Sequence, residues 1–184
     1  QWKRFERPYL KSKVSYGDNL PEGYTTEISL QSDGWLKSLY DLMAEGVVLL
    51  IDYGMSQSEY FHPQRTDGTL KCFHKHKSNN NPFIHLGDQD ITASVNFSDI
   101  AKSSIDAGFK VDGFSTQSMF LISLGIENFL ISEENTENKI KLAQEIKQLV
   151  MPGAMGEVFK VMALTKKQSV KLDGFKEQNL TERL

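Results

Sequence analysis

The sequence predicts an α/β fold, and three observations carry that prediction. Val47-Val48-Leu49-Leu50-Ile51 is a continuous aliphatic run without polar alternation, the pattern of a strand buried on both faces in a parallel sheet. Phe109–Phe114 alternates as a half-buried strand should, and Glu157–Leu164 reads as a third strand. Between them apolar residues recur at helical spacing, so the order is helix, strand, long excursion, helix, strand, two helices, strand.

In chain order, residues 1–31 read as irregular or weakly extended. Trp2, Phe5, Tyr9, Leu10 and Val14 supply packing surface, while Pro8, Gly17, Pro21 and Gly23 break any long element. Ser32 is a fitting N-cap for a first helix with Trp35, Leu36, Leu39, Tyr40, Leu42 and Met43 on one face, and Gly46 suits its end. The strand 47–51 runs into Asp52-Tyr53-Gly54. Residues 53–95 are polar, with Gly, Pro, Asn and four histidines, too long for an ordinary loop; they predict a functional excursion with a small structure of its own. Phe97–Ala107 predicts a helix with Ile100, Ala101 and Ile105 inward and Gly108 past its end. Thr116 can cap a helix through Leu124, stopped by Gly125. A longer helix spans about 135–150 with Ile140, Ala143, Ile146 and Val150 on one side, and the tail after the last strand is polar.

The 184 residues amount to one domain's worth, and 39% hydrophobic with 24% charged residues is an ordinary globular mix. A net charge of −3 with dispersed basic residues gives no expectation of nucleic acid or an anionic membrane as partner. Cys72 is the only cysteine, so no intramolecular disulfide forms, which fits a reducing, cytoplasmic setting. The longest apolar run, Gly46–Ile51, is far short of a membrane span. The charged, aromatic opening is not a signal peptide, and the missing initiator Met creates an expectation of sequence upstream.

Asp52-Tyr53-Gly54 lies at the carboxyl end of a buried strand, where open α/β sheets bind ligands. The plainer alternative is a loop Asp that bonds backbone, with Gly54 supplying a positive φ. His74 and His76, with His62, His85, Asp67, Asp88 and Asp90, offer metal-ligand types, but the spacing matches no zinc framework and no metal is expected. Gly87-Asp88-Gln89-Asp90-Ile91-Thr92 crowds two carboxylates and a hydroxyl into one turn, suited to acid–base work, to a cationic substrate, or to stitching backbone amides. Thr116-Gln117 is a helix start that can be only a cap. Met151–Gly156 matches neither a P-loop nor a dinucleotide fingerprint, and none of the thirteen glycines forms Gly-x-Gly. No cofactor-binding residue is therefore assigned in this chain.

Several segments together resemble the MidA family, which includes mitochondrial assembly factors for respiratory complex I. They are Val47–Gly54, Gly68–His76, Asn81-Pro82-Phe83, Gly87–Phe97, Gln117–Leu121, Leu124-Gly125-Ile126 and Met155–Val161, covering roughly residues 20–165. The resemblance implies the C-terminal half of a Rossmann-like class I methyltransferase sheet with an inserted excursion at 55–95. On that reading residues 1–184 are a single partial domain. Val47–Ile51 would be the fifth strand, Phe109–Phe114 the sixth and Val158–Leu164 the antiparallel seventh. The implied cofactor is S-adenosylmethionine, held mainly by an N-terminal half that this chain lacks.

The positions carried over are Asp52, Tyr53, Gly54, His76, Asp88, Asp90, Thr92 and Gln117, with Ser94 and Asn96 where relatives tend to show His and Asp. The implied reaction is methylation of a protein arginine, with a protein substrate as partner and a mitochondrial matrix location if the source is eukaryotic. Asp52, Asp88 and Asp90 would polarise the guanidinium, with His76 and Tyr53 orienting it. A strand edge left bare by the missing fourth strand would favour self-association. A non-catalytic module binding protein through 55–95, or a His/Asp metal hydrolase, are the alternatives.

Overall fold

A computed structural model describes residues 20–168 and 171–184. The packing expected of Trp2, Phe5, Tyr9, Leu10 and Val14 lies outside the described residues. Helix α1 (Ser32–Leu42) begins at the residue expected to cap it: Gln31 is the N-cap, and Ser32 is a buried first helical residue. Leu36, Leu39, Tyr40 and Met43 form its inward stripe, at spacings of three and four residues. Trp35 and Leu42, 51% and 86% exposed, fall off that stripe. The helix stops at Leu42 rather than at Gly46, which instead opens the long strand β1 (Gly46–Met55).

A short helix α2 (Gln57–Tyr60) leads into β2 (Lys71–His74), β3 (Lys77–Asn79) and β4 (Asp90–Thr92), an antiparallel sheet in the order β3-β2-β4. Then come β5 (Val95–Asn96), α3 (Phe97–Ala107), β6 (Lys110–Thr116), α4 (Gln117–Ser123), α5 (Asn128–Ser132), α6 (Thr136–Val150), α7 (Met155–Val158) and β7 (Phe159–Lys166). Two single 3₁₀ turns, Asp173–Phe175 and Thr181–Arg183, follow. Among the described residues no helix is long and apolar enough to cross a membrane. Contacts divide the described chain into two units, 20–30 with Gln57–Ser94, and Gln31–Ser56 with Val95–Leu184.

The larger unit is α/β, with a mixed sheet in the order β5-β1-β7-β6. β7 pairs antiparallel with β1, from Gly46 opposite Lys166 to Tyr53 opposite Phe159, and antiparallel with β6. β1 and β6 therefore run parallel with β7 reversed between them. On one face Leu36, Phe97, Ala101, Phe109, Phe114, Met162 and Leu164 form the core, with Val48 and Leu50 against it. On the other, Val161 and Ala163 lie under Phe175, Phe120 and Leu172. That cover does not reach β1: Val47, Leu49 and Ile51 are 37%, 47% and 55% exposed, so the aliphatic run is covered on one face and not on both.

Other expectations shift in detail. Ile105 is 60% exposed, because α3 turns Ala101, Ser104 and Ala107 inward instead. On α6 the half-buried residues are Leu142, Ile146, Leu149 and Val150, whereas Ile140 and Ala143 face outward. β6 is buried from Gly113 onward rather than alternating, and its register jumps between Val111 and Gly113. Gly108 ends α3 in the left-handed region as expected, with Tyr40 so close that a Cβ would meet its ring at 2.8 Å.

The tail is not merely polar. Phe175, 6% exposed, fills the second face of the sheet, and Leu180 and Leu184 pack against the first. The tail also runs along the outer edge of β6. Leu180 N–H donates to the Phe114 carbonyl at 2.6 Å, and Asn179 Oδ1 accepts from Phe114 N–H at 3.2 Å. Gln178 Oε1 accepts from Thr116 N–H and the Ser115 hydroxyl at 3.1 and 3.0 Å. Across the same unit, Lys166 Nζ lies over the Tyr40 ring and donates to the Tyr40 and Met43 carbonyls, both at 2.6 Å. This cation closes the C-terminus of α1, where free carbonyls accumulate.

Candidate functional site

Four of the carried-over residues, Asp52, Tyr53, Gly54 and Gln117, belong to the larger unit. Asp52 and Tyr53 stand near the carboxyl end of β1, exposed and half-buried respectively. Asp52 Oδ1 accepts from Tyr53 N–H at 2.8 Å, the backbone-bonding arrangement, which leaves its other oxygen outward. Tyr53 stacks edge-on against Phe159, ring centroids 5.8 Å apart. Burial, then the charge of Asp52, raises its hydroxyl pKa above the usual tyrosine value. Gly54 is not required for a positive φ, contrary to the loop reading. A Cβ there would meet the Val95 carbonyl at 2.3 Å and the Phe97 ring at 2.9 Å, so glycine permits the parallel β1–β5 contact.

Gln117 opens α4 behind its cap, Thr116, whose hydroxyl accepts from Met119 N–H at 3.3 Å. The Gln117 side chain is 7% exposed, and its Nε2 donates to the Leu149 carbonyl at 2.9 Å, tying α4 to the end of α6. Its amide nitrogen therefore has an internal role.

His76, Asp88, Asp90 and Thr92 belong to the smaller unit. Asp90 and Thr92, two apart on β4, share one sheet face with Phe73 and Lys71, the residues opposite them in register. Phe73 is 44% exposed and Asp90 is exposed, so a ring and a carboxylate adjoin on an open surface. Asp88 closes a turn through its N–H to the His85 carbonyl at 2.9 Å. Its own carbonyl accepts from His74 Nδ1 at 2.8 Å, and the His74 and His85 rings stack at 4.1 Å. His76 stands with Lys75 at the tip of the β2–β3 hairpin, both in the left-handed region at φ 63° and 47°. For non-glycine residues that conformation costs about 1–2 kcal/mol each. Among the described residues no three His, Cys, Asp or Glu side chains gather as a metal site.

Glu27 is the residue sequence reasoning missed. Its carboxylate accepts from Thr69 N–H and the Thr69 hydroxyl, both at 2.9 Å, and from Leu70 N–H at 3.1 Å. Tyr60 donates to the Glu27 carbonyl at 3.3 Å, and burial, helped by the Glu27 charge and opposed by the contact with Thr69, raises its pKa. Glu27 thus anchors the start of β2 from more than forty residues away. The signal was a lone acid in an irregular segment.

Three cavities are defined by described residues. A groove of about 580 Å³ lies among Ala101, Ile105, Phe109, Val111 and Leu184, a polar hollow of about 370 Å³ among His62, Arg65 and Asp67, and one of about 230 Å³ beside Asp112 and Phe175. None is lined by a candidate catalytic residue. No Gly-x-Gly turn, the glycine pattern that lets a backbone approach a nucleotide closely, occurs in the chain.

Comparison with known proteins places these features. Residues 2–115 match the family model described as "Putative S-adenosyl-L-methionine-dependent methyltransferase". A superfamily member from Burkholderia thailandensis, crystallised with S-adenosyl-homocysteine, superposes with a TM-score of 0.92 at 32% identity, covering 99% of this chain and 47% of its own. A native structure of an uncharacterised superfamily protein from the same organism gives 0.92 and 32%, covering 99% and 49%. The chain thus spans about half the length of these relatives. No curated protein matches it.

Proposed function

The chain belongs to that methyltransferase family, and from this premise we propose that it is one part of an S-adenosylmethionine-dependent methyltransferase of the MidA type, its C-terminal half. The observation that carries the reading is the sheet, with β7 inserted antiparallel between the parallel strands β1 and β6. Added to it is the relative of twice the span that holds S-adenosyl-homocysteine. The cofactor supplies the methyl group; this chain supplies residues that hold the acceptor and does not bind the cofactor unaided.

The acceptor is a protein arginine. A guanidinium must be oriented and relieved of a proton before it can act as a nucleophile. Asp88 and Asp90 accept from it, Thr92 adds a hydroxyl on the same face as Asp90, and His76 orients it. On the larger unit, taken by itself, Asp52 and Tyr53 at the end of β1 are the candidate residues. Gln117 is a positioning residue through Leu149. The setting is aqueous and reducing, the cytoplasm or the mitochondrial matrix. The chain on its own pairs with another copy through the free edge of β1. A second reading, a non-catalytic protein-binding module, draws on the excursion forming a unit with its own sheet.

Calorimetric titration of S-adenosyl-homocysteine into this chain and into a longer chain carrying upstream sequence tests the proposal. Mass spectrometry of arginine peptides incubated with the longer chain and S-adenosylmethionine completes the test. Heat from the longer chain alone, with one or two methyl groups gained on arginine, is expected. Binding by the 184-residue chain itself would remove the half-site reading. A longer chain that neither binds nor methylates would remove the enzyme and leave the module.

A further inference from the structure

The β2–β3 hairpin concentrates one sign of charge in a chain whose net charge is −3. Residues 71–80 carry Lys71, Lys75 and Lys77, with His74 and His76, and no acidic residue. His74 pairs with Lys77, so the connection is two residues long, Lys75 and His76, and both have positive φ. Two-residue hairpin turns of this kind strongly prefer Asn-Gly or Asp-Gly, because glycine, asparagine and aspartate tolerate the left-handed region. Neither position holds one. Nor does any hydrogen bond or ion pair among the described residues engage the side chains of Lys75, His76 or Lys77, all three of which are exposed. Local folding gives no reason for these residues at this turn. Strained non-glycine positions that no internal contact rewards are kept where the side chains act on something else.

We propose that this hairpin tip is a docking point for a carboxylate-bearing polypeptide segment, gripped by the Lys75 and Lys77 ammonium groups with His76 as a further donor. The surroundings favour discrete carboxylates over nucleic acid. Asp88, in the turn before β4, lies beside His74 through the bond to its carbonyl, and Asp90 on β4 is opposite Phe73; both are exposed. Those carboxylates interrupt the basic track that a continuous phosphate backbone needs. An acidic side chain reaching only the tip avoids them. Of this tip only His76 also enters the methyl-transfer reading; Lys75 and Lys77 have no part in it.

Fluorescence anisotropy with a labelled hexaglutamate peptide tests the proposal on the full chain, with an oligothymidylate of matching charge as comparison. The peptide should bind, and weaken steeply as salt rises. Lys75→Asn with His76→Gly should raise the melting temperature by a few degrees, because the turn is relieved, while weakening peptide binding about tenfold, the loss of roughly 1.4 kcal/mol. Lys77→Gln, which leaves the turn untouched, should weaken it several-fold, and Lys75→Arg should preserve it. A turn-relieved or Lys77→Gln protein that binds hexaglutamate as the parent does, or a parent that binds oligothymidylate more tightly than the peptide, would overturn the assignment. So would a parent that binds no peptide.

Discussion

The two edges of the four-stranded sheet are treated in opposite ways. At β6 the tail lies along the strand, and Gln178, Asn179 and Leu180 satisfy the groups of Phe114, Ser115 and Thr116 with side-chain amides as well as backbone. Phe175 covers the apolar face beside it. At β1 only Gly54 and Met55 meet a neighbour, β5, while Gly46–Tyr53 have no backbone partner on the side away from β7 among the described residues. Val47, Leu49 and Ile51 stay open on the adjoining face. Proteins normally hide or charge such edges. Among the described residues the sheet thus has a finished side and an open side.

Removing the finish should cost most. Phe175→Ala empties the second face and should destabilise the larger unit by about 3–5 kcal/mol in urea unfolding; a change near zero would mean the tail is decoration. Gln178→Ala leaves three donors unmet at β6 and should cost about 1–3 kcal/mol by the same measurement. Ile51→Lys on the open side should shift stability by no more than about 0.5 kcal/mol, yet abolish the proposed self-association in sedimentation velocity. Persistence of the oligomer would show that β1 is not the contact.

The smallest effect concerns acid. Burial works against ionisation of Asp112, but the Lys110 ammonium at 2.5 Å and the Thr165 hydroxyl at 2.6 Å outweigh it, so its carboxyl is held below the ordinary range. Its contribution is present above the unfolded carboxylate pKa and lost as pH falls through the depressed folded value. Asp112→Asn should flatten the acid limb of a stability–pH curve without moving the neutral plateau; an unchanged limb would contradict the pairing.

How far the sequence was legible follows from how local each signal is. The strand at Val47–Ile51, the cap at Thr116 and the end of α3 at Gly108 declare themselves within a few residues. The antiparallel sense of β7 came with the family resemblance, but its place between β1 and β6 did not, since pairing over a hundred residues leaves no local mark. The tail was misread because Leu172, Phe175, Leu180 and Leu184 obey neither helical nor strand spacing, and each is buried by a different neighbour. At the site, the place of Asp52 at a strand end was visible. The reason for Gly54, the approach of β5, was not, nor was the grip of Gln117 on Leu149, because both depend on a partner far along the chain.

The reach of Lys166 back to Tyr40 and Met43 has a consequence for biosynthesis. The first helix of the larger unit leaves the ribosome with its terminal carbonyls uncapped, and the ammonium that closes them follows 126 residues after Tyr40. The aliphatic ribbon that follows that helix likewise waits more than a hundred residues for its antiparallel mate, Gly46 pairing opposite Lys166 and Tyr53 opposite Phe159. Until that mate is made the segment lacks its antiparallel neighbour, and non-local closure of this kind is intrinsically slow and exposed to aggregation.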